Sequence, residues 1–109
     1  MQNTYRTHWC GELREAHIGQ SVRLSGWLWR ARNLGSLVFL DVKDRTGLTQ
    51  CVCEASDAVA AKVQGIRQQS TVTVHGTVVR RESPNEDLPT GRIEIKLEDV
   101  VVQLSLIHI

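Results

Sequence analysis

At 109 residues the chain is long enough for one small domain with a real core, and its hydrophobic fraction of 41% is ordinary for a globular protein. The formal net charge is +1 at pH 7, so the overall charge does not indicate a nucleic-acid partner as a strongly basic domain would. No apolar run approaches the roughly 20 residues of a membrane span, and three cysteines without a secretory signal predict a reduced, cytoplasmic setting.

The chain begins with a segment, residues 1–19, that lacks strand periodicity and divides into a leader and a short cap. The leader carries no periodic pattern and is predicted to be poorly attached as far as Thr7. The cap is predicted to be a short helical turn, because Leu13, Ala16 and His17 fall on one side of it. We expect this turn to cover one end of the domain that follows.

Five later stretches alternate apolar and polar residues with a period of two, which predicts strands. The predicted strands run from about Gln20–Arg32, Ser36–Lys43, Leu48–Glu54, Ser70–Arg81 and Arg92–Val102. Ser56–Gln68 has Val59, Val63 and Ile66 at helical spacing, which predicts an amphipathic helix with Ser56 as its N-cap. Five strands with one helix between the third and the fourth is the order of an OB-fold. The predicted fold class is therefore all-β with one helix, a five-stranded Greek-key barrel.

The two faces of the strands can be separated by counting, because side chains on a strand alternate between faces. In the second strand Phe39 shares its face with polar residues. In the first strand no single parity fits, and Gly26 is the natural position for a bulge. A bulge there turns the following tryptophans toward the core and the arginines outward, onto the face of Phe39. The residues concerned are Trp27, Trp29, Arg30 and Arg32.

Counting along all the strands places a mixed set on the outer face: Arg30, Arg32, Phe39, Gln50, Arg81 and Glu94. Arginines pair with phosphates or base edges, amides and carboxylates address base edges, and an aromatic ring stacks on bases. Such a set is typical of a surface that reads single-stranded nucleic acid. Taken singly, the residues have plainer interpretations: a solvated strand end for the arginines, a core ring for Phe39, and an ordinary charged face for Glu94 with Lys96.

Cysteine and histidine spacing offers no metal site. Cys51 and Cys53 lie two apart and face the same way, but no second pair completes a zinc site, so both are predicted to be buried and inert. The histidines are scattered without metal-ligand spacing. No serine–histidine–aspartate, paired-carboxylate or glycine-rich phosphate motif is convincing, so no catalytic residue and no metal ligand is assigned.

Several runs of the sequence resemble one family. They are Tyr5–Gly11, Leu13–Arg14, Gly19, Gly26–Trp27, Arg30–Asp41, Asp44–Arg45, Gly47, Gln50, Gly76–Val78, Thr90–Gly91 and Ile93–Glu94. On these residues the chain resembles, from about Tyr5 to Leu104, the N-terminal anticodon-binding domain of bacterial aspartyl-tRNA synthetase, a class IIb synthetase. The central hairpin and the Thr-Gly-x-Ile-Glu ending are specific to it. The related synthetases for asparagine and lysine share the fold but resemble this hairpin less.

The resemblance implies recognition of three anticodon bases: G or its queuosine derivative, then U, then C. Phe39 matches the aromatic residue on which the central uracil stacks, and Gln50 matches the amide that reads that base. Arg30 and Arg32 match the first and third members of an arginine trio that holds the anticodon strand, with Ala31 in place of the middle one. Positions that address the flanking bases are matched by Arg81, Asn85 and Glu94.

For the parent enzyme the resemblance implies an ATP-dependent aspartate-tRNA ligase, a cytoplasmic homodimer that uses ATP and magnesium. Its catalytic residues belong to a separate class II domain, so this chain is expected to bind tRNA without catalysis, cofactor or membrane partner. The expected organisation is a leader and cap over residues 1–19, an OB-fold domain over 20–104, and an off-family tail over 105–109 that indicates a truncated or foreign end. The alternative is a free-standing OB module that binds single-stranded nucleic acid or a protein.

Overall fold

Five strands and one helix account for the regular structure of the protein, whose computed structural model describes residues 6–102. The strands are β1 (Ser21–Leu34), β2 (Leu37–Asp44), β3 (Gly47–Glu54), β4 (Thr71–Arg80) and β5 (Ile93–Val102). The helix α1 (Ala58–Gln64) lies between β3 and β4, and a 3-10 turn (Glu15–His17) precedes β1. Each strand therefore ends within one or two residues of its predicted bounds. Residues 1–5 of the predicted leader and the predicted tail, 105–109, lie outside the described residues.

The strands close into a barrel in the order β1-β2-β3-β5-β4. The β3–β5 pair is parallel, and the other neighbours are antiparallel. Closure depends on the length of β1, whose first half pairs with β4 and whose second half pairs with β2. Alternate residues fill the barrel with branched aliphatic side chains, among them Val22, Leu24, Leu40, Val74, Val78 and Ile95. This architecture confirms the predicted OB-fold.

Helix α1 is shorter than its pattern predicts. It begins after Asp57 rather than Ser56, and the chain leaves the helix at Gly65. Val59 and Val63 are buried as predicted, and Ile66 packs against the core from beyond the helix end. The Asp57 carboxylate accepts the amide of Glu54 instead of capping the helix, so it closes the turn from β3. Within residues 6–102 no helix has the length and hydropathy that crossing a membrane requires.

The bulge of β1 lies at Trp29 and not at Gly26. Leu28 and Arg30 pair with consecutive residues of β2, which leaves Trp29 as the extra residue between them. Leu28 is 1% exposed, whereas Trp27 and Trp29 are 38% and 40% exposed. The predicted burial of the two tryptophans is therefore wrong, because the parity of β1 continues past Gly26 and changes only after Leu28.

Gly26 allows the backbones of β1 and β2 to approach each other closely. A Cβ atom at this position would lie 2.4 Å from the carbonyl oxygen of Lys43, so no larger residue fits without moving the backbone. The Lys43 ammonium lies over one face of the partly exposed Trp29 ring, 4.0 Å from the ring centroid. Beyond the bulge Arg32 pairs directly with Phe39, so the predicted shared face of arginine and aromatic ring is confirmed.

The segment before β1 is attached to the barrel more firmly than predicted. The Thr7 amide donates to the carbonyl of Arg23, and the Arg23 amide donates to the Thr7 hydroxyl. Cys10 and Leu13 are fully buried in the core. The Cys10 amide donates to a carboxylate oxygen of Asp44 at 2.8 Å, which ties this segment to the β2–β3 turn.

The cysteines behave as small core residues. Cys10, Cys51 and Cys53 are buried free thiols, which confirms the prediction for the two cysteines of β3. Burial is the main cause that raises the pKa of the Cys51 thiol far above its ordinary value, and the nearby Asp41 and Glu94 carboxylates raise it further. A thiol with a raised pKa remains protonated and unreactive at neutral pH.

Candidate nucleic-acid interface

An open cavity of about 500 Å³ lies on the outer side of the barrel, where all five strands and the loop after β4 contribute to its wall. Five of the seven predicted site residues form part of its wall: Arg32, Phe39, Gln50, Arg81 and Glu94. These residues come from distant parts of the sequence, and only barrel closure brings them to one place. The remaining two, Arg30 and Asn85, do not line it.

A hydrogen-bonded chain crosses the floor of this cavity. Arg32 Nη2 donates to Gln50 Oε1 at 3.0 Å, and Gln50 Nε2 donates to Glu94 Oε1 at 2.7 Å. Gln50 is only 8% exposed although it faces outward, because its neighbours cover it. The amide is thus held between a cation and an anion, and each of its two polar atoms already has one partner.

Asp41 contacts both predicted arginines, although the sequence prediction did not select it. It pairs with Arg30 across the β1–β2 ladder, its side chain is 7% exposed, and its two oxygens lie 3.6 Å from Arg30 Nε and 3.4 Å from Arg32 Nη2. The sequence places Asp41 on the same outer face by parity. Its position between both arginines follows only from the register beyond the bulge at Trp29.

The Phe39 ring is half-buried at the cavity wall, with the Arg32 guanidinium carbon 5.3 Å from its centroid. An aromatic ring at a cavity wall beside a guanidinium suits a stacked base, which gains dispersion from the ring and hydrogen bonds from the cation. Arg32 Nε is buried without a hydrogen-bond partner among the described residues. An unpaired buried donor is unusual, because most buried polar groups in folded proteins are hydrogen-bonded.

Arg81 follows the last residue of β4 and is 8% exposed, and its Nε donates to the carbonyl oxygen of Ile93. Burial lowers the pKa of its guanidinium, and the Glu94 and Asp41 carboxylates oppose that effect. Since arginine remains charged even when its pKa is lowered, Arg81 contributes a fixed positive charge to the cavity wall.

The two predicted residues outside the cavity differ from each other. Arg30 is well exposed, with 59% of its side-chain surface accessible, and Asp41 holds it at the edge of the site. Asn85 lies in the loop between β4 and β5, where its side-chain oxygen accepts the amide of Asp87 and its backbone carbonyl accepts the amide of Leu88. In this loop conformation Asn85 stabilises the turn and does not face the cavity.

Away from the cavity, the fold brings together three possible metal-ligating side chains whose sequence spacing did not predict a metal site. Ligand atoms of His8, Glu12 and His17 lie within 4.8 Å of one another. His17 Nδ1, however, accepts the amide of Arg14 at 2.9 Å, so a neutral His17 ring carries its proton on Nε2. Neither ring nitrogen then offers a free lone pair to a metal. The hydrogen bond instead makes His17 the group that closes the 3-10 turn.

Comparison with known proteins also indicates a nucleic-acid-binding domain. Residues 22–103 match the model of a family described as OB-fold nucleic acid binding domain, with the label tRNA anti-codon. An aspartate–tRNA(Asp/Asn) ligase of Zymomonas mobilis is 48% identical over 93% of this chain and 17% of its own length. An aspartate–tRNA ligase of Exiguobacterium sibiricum is 42% identical over 89% of the chain and 17% of its own length.

Solved structures resemble the barrel as well. The crystal structure of asparaginyl-tRNA synthetase from Pyrococcus horikoshii superposes with a TM-score of 0.72 at 28% identity, covering 87% of this chain and 22% of that one. The chain thus spans about a fifth or less of the length of each of these three relatives.

Proposed function

Because the chain belongs to the family of OB-fold nucleic acid binding domains of the tRNA anticodon type, we propose that it is the part of an aspartate-tRNA ligase that reads the tRNA anticodon. The proposed ligand is the anticodon loop of aspartate tRNA, with bases G or queuosine, U and C. The outer cavity is the proposed contact surface. The domain binds and selects the tRNA, and the amino acid is joined elsewhere in the longer enzyme.

The observation that supports this proposal most directly is the convergence of unlike groups on one cavity. Phe39 offers a ring for stacking, Gln50 and Glu94 offer donors and acceptors for base edges, and Arg32 and Arg81 offer fixed positive charges. A surface that only tracked phosphates would be lined by basic residues without this mixture. We assign the central uracil to Phe39 and Gln50, the flanking bases to Arg81 and Glu94, and the strand backbone to Arg30 and Arg32.

Asn85 remains a proposed contact to a flanking base that requires the loop between β4 and β5 to rearrange. In the described conformation its side-chain oxygen is engaged by the amide of Asp87. Loop rearrangement on RNA binding is common where single strands are recognised. Its contribution is therefore expected to be smaller than that of Gln50.

The properties of the whole ligase are proposed by the same route. We propose that ATP and magnesium bind in the remainder of the enzyme, since this chain spans only 17% of the length of the aspartate-tRNA ligases that it matches. We propose a homodimer for the complete ligase and a reducing, cytoplasmic location, where the free thiols of this domain remain reduced.

Binding to synthetic hairpins tests the proposal. Two hairpins share one stem and differ only in the anticodon, which carries the aspartate bases in one and three adenines in the other. We expect the chain to bind the aspartate hairpin about tenfold or more tightly, since one well-placed pair of hydrogen bonds to a base edge contributes about 1–3 kcal/mol. Fluorescence anisotropy at low and moderate salt measures both affinities.

Matched glutamine variants serve as the control. Gln50→Ala removes the proposed base reader, whereas Gln64→Ala removes the same group from the exposed end of α1. Only the first should reduce the preference for the aspartate hairpin, because the flanking bases are still read by Arg81 and Glu94. Equal binding of the wild-type chain to both hairpins would leave a general single-strand binder, because stacking alone does not distinguish bases. Binding to neither hairpin would favour a protein-interaction module.

A further inference from the structure

The Gln50 side chain can occupy only one of its two amide orientations without conflict. A primary amide has two N–H donors and two acceptor lone pairs, and rotation by 180° exchanges the oxygen with the nitrogen. In the observed orientation Oε1 accepts from Arg32 and Nε2 donates to Glu94. After rotation the amino group would face a guanidinium, which can only donate, and the oxygen would face a carboxylate. Both contacts would become repulsive.

The arginine of this pair is itself held. Asp41 lies against Arg32 Nη2 with a side chain that is 7% exposed, and it also faces Arg30. Arg32 therefore has an anion on one side and the Gln50 oxygen on the other. The four groups form one chain of alternating charge and dipole, from Asp41 through Arg32 and Gln50 to Glu94, and each link fixes the next.

Amide orientation matters because uracil and cytosine present opposite patterns at their Watson–Crick edges. Uracil has an N3–H donor flanked by two carbonyl oxygens, whereas cytosine has an N3 acceptor beside an amino donor. An amide pairs with uracil when its oxygen faces N3 and its nitrogen faces a carbonyl. It pairs with cytosine only in the reverse order, with its nitrogen facing N3. A freely rotating amide accepts both bases.

We propose that Arg32 and Glu94 hold the Gln50 amide in one orientation, and that this held orientation selects uracil over cytosine at the base stacked on Phe39. Asp41 is a positioning residue in this arrangement, because it acts through Arg32 and does not line the cavity. The inference rests on the proposed function. It adds that the choice of base at the central position depends on Arg32 and Glu94, the two groups that flank the Gln50 amide.

The test compares hairpins that carry U or C at the central anticodon position, with all other bases unchanged. We expect the wild-type chain to prefer the U hairpin by about tenfold or more. In Glu94→Gln the new amide can donate or accept, so it no longer opposes the reversed orientation. The ratio of the two dissociation constants is then expected to fall to about threefold or less. Asp41→Asn weakens the hold on Arg32 and should lower the ratio in the same direction.

Glu98→Gln is the matched control, because Glu98 lies on the same strand, carries the same charge and is exposed outside the cavity. It should leave the ratio unchanged. Any direct contact of Glu94 to a flanking base affects both hairpins equally and cancels in the ratio. If Glu94→Gln weakens binding to both hairpins by the same factor, the proposed orientation effect is wrong.

Side-chain amide NMR of the free chain separates this inference from the proposed function. In the wild type one Gln50 Nε2 proton should exchange slowly with solvent because Glu94 accepts it, and Glu94→Gln should accelerate that exchange at least several-fold. If the hairpins show no preference while this proton is protected, the amide is held but the anticodon proposal fails. If the proton exchanges in the wild type as fast as those of the exposed Gln64 side chain, the Gln50 amide is not held and the inference is overturned.

Discussion

At the scale of single residues, the sharpest expectation concerns the ring of Phe39. Phe39 is half-buried and lines the cavity, where we propose that a base stacks on its ring. Phe39→Leu keeps an apolar side chain on β2 but removes the aromatic face. We expect this variant to bind the aspartate hairpin about tenfold to hundredfold more weakly, because stacking of one base on an aromatic ring contributes about 1–3 kcal/mol. Anisotropy titration measures the loss.

Phe39→Tyr is the conservative counterpart, since it retains the ring and extends toward solvent. It should bind within about threefold of the wild type, because stacking on tyrosine and phenylalanine is similar. Thermal unfolding of both variants establishes that the barrel is intact. Wild-type affinity in folded Phe39→Leu would show that the base does not stack on this ring.

At the scale of strands and turns, local periodicity predicts where the strands begin and end, but it does not predict the position of the bulge in β1. Strand bounds follow from alternation, since β4 for example has Val72, Val74 and Val78 at alternate positions, with Gly76 between them. The position of the bulge could not be predicted in this way. Glycine is typical of bulges, but Gly26 is needed for the close approach of β1 to the Lys43 backbone. Trp29, a large apolar residue, gives no local signal that it is the extra one.

The same limit applies to the site. Parity identified the outward residues of each strand, and five of them meet in one cavity. Parity does not say which outward residues lie opposite each other, and that depends on register. Asp41 therefore gave no signal as the partner of two arginines, and the contact of Gln50 with Glu94 depends on barrel closure between β3 and β5.

Asp44 connects the segment before β1 to the β2–β3 turn, and this connection should depend on pH. Burial acts to raise the pKa of Asp44, but hydrogen bonds from the Cys10 amide and from Thr46 outweigh it, so the pKa lies below its ordinary value. A carboxyl whose pKa is lower in the folded state stabilises the fold above its unfolded pKa of about 3.9 and loses that contribution as pH falls through the folded value.

Asp44→Asn should therefore lower the free energy of unfolding at pH 7 by about 1–3 kcal/mol, because the new amino group cannot accept from the buried Cys10 amide. At a pH below the folded pKa the difference should vanish. Urea unfolding at both pH values measures it. Asp99→Asn is the control: Asp99 pairs with Lys62 at the surface with 47% of its side chain exposed, and its loss should cost no more than about 1 kcal/mol. A deficit in Asp44→Asn that persists in acid would contradict this account.

At the scale of the whole molecule, charge is balanced both overall and at the site. The net charge is +1, and the cavity wall carries four basic and four acidic residues. The basic residues are Arg32, Arg80, Arg81 and Lys96, and the acidic ones are Glu54, Asp57, Glu82 and Glu94. Such a surface has little net attraction for a phosphate backbone. Selectivity then depends on base contacts, and affinity for any single strand is modest.

This balance predicts a shallow salt dependence of hairpin binding. A plot of log affinity against log salt should have a slope of about −2, which corresponds to about three neutralised phosphates. Arg30 is the exposed arginine at the cavity edge, so Arg30→Gln should make the slope shallower by about 0.7. Arg67→Gln removes an equal charge from the exposed chain after α1 and should leave the slope unchanged.

The two variants decide between base reading and backbone tracking as the main source of binding. If binding depended on the phosphate backbone, the slope would be steeper than about −4. Any exposed arginine near the site would then contribute to the slope as much as Arg30 does. If bases dominate, Arg30→Gln lowers affinity for the aspartate and the three-adenine hairpins by a similar factor. The ratio between them then stays at its wild-type value, because a phosphate contact positions the strand without distinguishing its sequence.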